Sequence, residues 1–192
     1  MRTHQARYRG RILRRMAFGL AVLFATLWAG AELARAAELV PAVGWTRTVD
    51  GDQPTHAFGS LALRGDLLPF LQTEVGVAYR SEQVIADQLN VRMWPVTASL
   101  WVTPVPALYA GGGVGWYHTT FDYASNLPFN DQTRENFGVH LGGGVKVPLG
   151  SPAVAVDLGG RYVMLRPQES QLIPQHFDPD FWNTTLGLAI HF

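Results

Sequence analysis

Cysteine is missing from all 192 positions of the chain. Its absence excludes a disulfide framework, a thiolate metal site and a thiol nucleophile. Charge is scarce too, at 16% of residues against 47% hydrophobic ones, and the formal net charge is zero. That zero hides an asymmetry. Arg2, Arg7, Arg9, Arg11, Arg14, Arg15 and Arg35 all lie in the first 36 positions, where Glu32 is the lone acid. The remainder holds eight basic and fourteen acidic side chains, a net of 8 − 14 = −6. A body of that sign offers no basic face for nucleic acid. Beyond the first 36 residues no stretch approaches the roughly 18 uncharged apolar residues of a helical span. Helical periodicity is poor as well, because glycine and proline break every window of useful length.

What is present falls into two pieces. Met1 to Arg15 is basic, Met16 to Ala31 is a 16-residue uncharged stretch, and Ala34-Arg35-Ala36 has the small-x-small pattern. Basic, apolar, then small is the order of a secretory signal. A membrane anchor would need about 20 apolar residues, more than this stretch supplies. Residues 1–36 are therefore expected to be a cleavable signal peptide and 37–192 the mature chain. Arg14-Arg15 is weak support for a twin-arginine route, which carries folded cargo.

The second piece alternates with a period of two, the signature of strands. In Phe181 to Phe192, Trp182, Thr184, Leu186, Leu188, Ile190 and Phe192 oppose Thr185, Gly187, Ala189 and His191. Phe137–Val147, Ala153–Met164 and Leu71–Arg80 repeat the pattern, with one face large and apolar and the other small, polar or charged. Leu39–Arg47, His56–Arg64, Gln88–Thr103 and Ala107–Phe121 complete a set of eight. In Gln88–Thr103 the apolar phase slips from Leu89, Val91 and Met93 to Val96, Ala98, Leu100 and Val102, which predicts a β-bulge at Pro95. The slip leaves the direction of Trp101 open. Short connections (Gly65–Pro69, Pro104–Pro106, Pro148–Pro152) alternate with polar, mostly longer ones (Thr48–Thr55, Ser81–Asp87, Asp122–Glu135, Pro167–Asp180).

Short turns on one rim and long loops on the other describe a membrane barrel whose termini lie on the short-turn side. A soluble barrel would bury the apolar face and show water the charged one. Here the charged side chains share the face that carries Gly76, Gly138, Gly142, Gly144, Gly159 and Gly187, which suits a narrow lumen. The expected fold class is thus all-β: an eight-stranded antiparallel transmembrane β-barrel preceded by a signal peptide.

Gly187, Leu188, Ile190 and the final Phe192 end an alternating strand on an aromatic residue. This resembles the terminal signal by which outer-membrane barrels are recognised for assembly. With the leader, the strand count and segments such as Tyr109 to Tyr117, residues 39–192 resemble the small eight-stranded outer-membrane proteins of the OmpA/OmpX/OmpW kind. The resemblance implies contact with outer-membrane lipid, and insertion from the periplasm with chaperones and the barrel-assembly machinery. It implies a monomer with long loops outside, and it supplies no catalytic residue.

Several constellations invite a chemical reading. Gly111–Gly115 and Gly142–Lys146 lack the following helix of a phosphate-binding loop and fit relief of crowding instead. Arg64, Glu74, His140, Lys146, Asp157 and Arg161 belong to the inward face. Arg64 and Glu74 flank one short turn, while Lys146 with Asp157 and His140 with Arg161 share the next hairpin but one. Charges confined in a lumen must pair, so a salt-bridged plug is expected, with a gate that opens a narrow water path as the alternative. His56, His118 and His176 fall near the loop rim and His140 and His191 in the lumen, without the close spacing of a metal site. Lipid A deacylases of this size carry His-x-Ser; the sequence has His118-Thr119-Thr120, and a nucleophile–base pair could arise only through the fold. Trp45, Trp94, Trp101, Trp116, Tyr117, Phe121, Tyr123, Phe181, Trp182 and Phe192 fit two interfacial girdles, although an inward Trp101 would suit a port for apolar ligands. The sequence therefore predicts no enzyme, no cofactor and no metal site. It predicts an envelope protein with a filled lumen, with a narrow conduit and a lipid-modifying enzyme as alternatives.

Overall fold

The computed structural model describes residues 37–49, 55–85, 89–123, 132–151, 153–165 and 180–192. The predicted leader and most of the two longest predicted loops lie outside these residues. Eight strands follow one another: β1 Ala37–Thr48, β2 His56–Leu68, β3 Leu71–Ile85, β4 Leu89–Val105, β5 Leu108–Tyr123, β6 Gln132–Ser151, β7 Val154–Leu165 and β8 Phe181–His191. Each pairs antiparallel with its sequence neighbours, and β8 pairs with β1 to close the barrel. Closure leaves no sheet edge, so every strand satisfies its backbone within the wall.

The register fixes the geometry. A line of paired residues starting at Glu38 passes Arg64, Glu74, Ser99, Gly113, His140, Val163 and Phe181, then returns to β1 at Thr48, ten residues on. With strands ~4.8 Å apart and a rise of ~3.3 Å per residue, that stagger tilts the strands by about 40°. Eight strands so tilted enclose a lumen that side chains can fill.

Alternation sorts the side chains as the sequence predicts. Phe137, Val139, Leu141, Val145 and Val147 of β6 face outward, Phe137 with 64% of its surface exposed, while His140 and Lys146 between them are buried. The outward surface is a continuous apolar band and the polar buried residues are interior, the inverse of a soluble barrel. Two small apolar clusters share the lumen: Val40, Ala155 and Ala189 with Ala62, and Tyr117, Val163 and Phe181 with Met93 and Leu165.

Three expectations need correction. No residue is inserted at Pro95: the β4–β5 ladder runs through it without a step, and the β3–β4 ladder resumes in the same register after a gap. Lacking an N–H, Pro95 opens the ladder toward β3 without shifting it. Val91 and Met93 consequently face inward, with Trp101. The register shifts lie at hairpin ends instead, between Asp66 and Leu68, Gln83 and Ile85, Val102 and Val105, and Pro148 and Ser151. Gly150, at φ 75°, permits the left-handed turn in the last of these.

Second, β3 continues to Ile85 and β6 starts at Gln132, so much of the predicted Ser81–Asp87 and Asp122–Glu135 loops is strand. Beyond the apolar band both faces meet water, alternation fades, and ladder pairing persists without a hydrophobic pattern to announce it. Third, the outward Trp and Tyr residues of known burial (Trp45, Tyr79, Trp94, Trp116, Tyr162 and Trp182) all lie in the half nearer the long connections. Of the other residues expected in the girdles, Trp101, Tyr117 and Phe181 face inward, and Phe192 is exposed at the short-turn end.

Candidate functional site

The candidate site is the lumen. Glu38 of β1, Arg64 of β2, Glu74 of β3 and Ser99 of β4 are successive members of the register line traced above, so inward alternation stacks them side by side. Gly113 comes next, and its missing side chain lets His140 of β6 reach across to Ser99. A Cβ at Gly113 would run into the Ala98 carbonyl oxygen and the Ser99 Cα.

Arg64 is the hub. Its Nε donates to Glu74 Oε2 at 2.7 Å, its Nη1 to Glu38 Oε1 at 3.1 Å and to Asp157 Oδ2, and its Nη2 to the Tyr109 hydroxyl at 3.3 Å. Tyr109 in turn donates to Asp157 Oδ1 at 2.8 Å. Lys146 Nζ donates to Glu38 Oε2 at 2.7 Å and to Gln72 Oε1 at 3.3 Å. Arg161 Nη2 donates to Glu74 Oε1 at 2.7 Å, and His191 Nε2 lies 3.0 Å from Glu38 Oε2. Three cations (Arg64, Lys146, Arg161) thus meet three carboxylates (Glu38, Glu74, Asp157), a formal balance of zero. Buried charges persist only when paired and hydrogen-bonded in this way.

Aromatic rings fill the space between the charges. Trp101, with no exposed surface, stands edge-on to Tyr109 at 5.4 Å, and the Arg161 guanidinium lies 5.1 Å from its ring centroid. Arg64 lies 4.6 Å from the Tyr109 centroid. Cations over ring faces gain from the quadrupole where water is excluded.

All six predicted lumen residues face inward, but the partners differ from their sequence neighbours. Arg64 and Glu74 pair as register partners. Lys146 and Asp157 are also in register, yet each bonds across the lumen. His140 meets Ser99 rather than Arg161, at 2.9 Å through Nε2. Glu38, Tyr109, Ser99 and Gln72 belong to the network and were not expected in it. Glu38 fell just outside the predicted first strand, although it continues the inward series Val40, Ala42, Gly44. Tyr109 sat in a strand too rich in glycine to give a face. In the predicted terminal signal, Leu188, Ile190 and Phe192 face outward, and Gly187 is packed where a Cβ would meet Ala42 at 2.8 Å.

Ser99 and His140 form the nucleophile–base contact that only the fold could create. A working pair needs a carboxylate on the far imidazole nitrogen. Here His140 Nδ1 is buried without a hydrogen-bond partner, and the nearby carboxylate, Glu74, lies 3.4 Å from the serine hydroxyl itself. The contact joins β4 to β6. Among the described residues no cluster of His, Asp and Glu is suited to a metal ion.

No protein-family model matches the sequence, and no curated protein does. Solved structures do share the fold. The chain is similar to the attachment invasion locus protein Ail of Yersinia pestis, at 12% identity and a TM-score of 0.52 over 83% of this chain and 99% of that one. It is similar to Neisserial surface protein A, at 16% identity and 0.55 over 82% and 96%. It is also similar to the N-terminal β-barrel domain of Pseudomonas aeruginosa OprF, at 13% identity and 0.51 over 83% and 98%. The fold is that of the small eight-stranded outer-membrane barrels.

Proposed function

We propose that this chain is a non-enzymatic outer-membrane protein that supports envelope integrity or surface interaction through its wall and loops, with its lumen closed. The observation that carries the reading is the charge-balanced network around Arg64, packed with Trp101 and Tyr109, which leaves side chains where a pore would need water. The outward apolar band supports a lipid environment, and the names of two similarly folded proteins, an attachment protein and a surface protein, suit a role at the cell surface. In this reading residues 1–36 are a cleaved signal, the long loops face outward, the mature termini are periplasmic and the barrel is a monomer. Chaperones and the assembly machinery deliver it, the latter reading Gly187, Leu188, Ile190 and Phe192.

The test is current through planar bilayers containing the refolded protein, after a heat-dependent gel shift has identified the folded form. The expected result is no sustained conductance. A steady open current would overturn the closed lumen, and recovery from cells in the aqueous fraction would overturn the membrane location.

One observation favours a second reading, a narrow conduit. Arg64 Nη1 is shared between Glu38 and Asp157 while Lys146, in register with Asp157, bonds Glu38. An exchange of partners needs only side-chain rotation and would open a path along the wall. Brief currents altered by Lys146→Ala or Asp157→Ala would select the conduit.

A further inference from the structure

The apolar outer surface does not stop at the short turns. Leu67, Leu68 and Phe70 at the β2–β3 connection, Val105 at β4–β5 and Leu149 at β6–β7 are all exposed, Phe70 by 56% and Leu149 by 54%. Hairpin tips that stand in water carry Gly, Asn, Asp and Ser instead. These tips continue the outward columns of Val102, Leu108, Val147 and Ile190, and the exposed hydroxyls among them are engaged locally, Thr73 donating to the Gly65 carbonyl at 3.3 Å and Ser151 accepting from the Ala153 N–H at 3.2 Å. The one acid of this rim among the described residues, Asp66, lies on the inward series of β2 and accepts from Gln72 Nε2 at 2.7 Å.

The backbone at this rim is suited to a dry setting. Pro69, Pro104, Pro106 and Pro148 remove four N–H donors. Neighbouring hairpins satisfy several of the remaining groups. The Thr103 N–H donates to the Phe70 carbonyl at 2.9 Å, the Lys146 N–H to the Ala107 carbonyl at 2.8 Å and the His191 N–H to the Ala153 carbonyl at 2.9 Å. Unsatisfied backbone groups are what exclude turns from hydrocarbon.

Dimensions point the same way. The outward Trp and Tyr residues mark the water interface on the long-connection side. Trp182 and Phe192 face outward ten residues apart on one strand, and at the tilt above that is about 25 Å along the axis, the usual height of the apolar band. The far edge of the band therefore coincides with the turns.

We propose that the short-turn rim is itself lipid-embedded, the tips of its three hairpins lying among the acyl chains of the leaflet on that side. The proposal rests on the membrane-barrel reading above and assigns the exposed apolar tips to lipid rather than to a protein partner.

The absence of cysteine makes the test direct. Leu68→Cys and Leu149→Cys, each bearing one nitroxide, are refolded into phospholipid vesicles beside Val114→Cys, outward on β5, and Thr55→Cys at the long-connection end. Phe70→Cys and Val105→Cys replace any variant that lacks the heat-dependent gel shift. Collisions with oxygen, which partitions into lipid, are compared with collisions with a water-soluble nickel chelate. The expected result is that positions 68 and 149 match Val114→Cys, with an oxygen-to-nickel ratio several-fold above that of Thr55→Cys. Nickel access at 68 and 149 equal to that at 55, with 114 still protected, would overturn the proposal and leave the rim to a protein partner. Nickel access at 114 as well would overturn the membrane-barrel reading itself.

Discussion

Lys146 and Asp157 stand opposite each other in the β6–β7 ladder, but their charges are spent across the lumen: Lys146 donates to Glu38 of β1 and Asp157 accepts from Arg64 of β2. These two ion pairs therefore act as cross-braces between walls, unlike Arg64 with Glu74, which is a rung within one hairpin. A brace ties together strands far apart in sequence, so losing one partner leaves a buried charge unpaired.

The first prediction separates brace from rung. In double-mutant cycles read from urea unfolding midpoints, Arg64→Ala with Asp157→Ala should show coupling of ~1–3 kcal/mol, as contacting residues do. Lys146→Ala with Asp157→Ala should couple less, through Glu38 and Arg64 between them. The reverse order would mean that the hairpin rung is the working contact. Each single loss should be costly, because removing one member of a buried pair is worth about 3–5 kcal/mol.

The contrast shows what the sequence made legible. Inward or outward placement depends on parity along one strand, so Arg64, Glu74, His140, Lys146, Asp157 and Arg161 could be assigned from alternation alone. Pairing across the lumen depends on the ten-residue stagger and on how far each side chain reaches, and neither is written in one strand. Glu38 and Lys146 are 108 residues apart, and no local pattern links them. The inward placement of Val91 and Met93 has the same root: the apolar phase predicts them on the lipid face, whereas Met93 packs inward beside the Tyr117, Val163 and Phe181 cluster. Apolarity identifies lipid-facing positions only where the lumen is polar.

The second prediction concerns Trp101. As a wholly buried side chain packed on Tyr109 and under Arg161, it fills the lumen as a wedge. Trp101→Ala should lower stability by roughly 3–5 kcal/mol and introduce measurable current in planar bilayers. Trp94→Ala, outward on the same strand, should leave the current at its wild-type level. Equal currents from the two variants would show that Trp101 does not obstruct the lumen.

A third prediction uses two glycines as a pair. Gly113→Ala places a methyl against the Ala98 carbonyl and the Ser99 Cα, where overpacking costs about 1–3 kcal/mol. Its heat-shifted, folded fraction should fall below wild type. Gly59→Ala adds the same methyl where nothing lies within 4 Å and should refold as wild type does. Equal yields would mean that the wall yields at Gly113 and that the register line there is not tightly packed.

The last prediction concerns Ser99, which has the one feature an enzyme would share. Its hydroxyl has a histidine nitrogen at 2.9 Å and a carboxylate at 3.4 Å, the residue types of a hydrolytic site. Their order is wrong. In a working site the carboxylate holds the far side of the ring and fixes its tautomer; here Glu74 is engaged by Arg64, Arg161 and the serine. Access is wrong as well, since Ser99 is buried inside a closed wall and an acyl chain would have to enter past Trp101 and Tyr109. A fluorophosphonate probe should therefore leave the folded protein unlabelled, and lipid A from cells overproducing it should have the same mass with wild type and with Ser99→Ala. Labelling of Ser99, or a change in lipid A mass lost in Ser99→Ala, would mean that the lumen opens to substrate and that the contact between β4 and β6 is chemical after all.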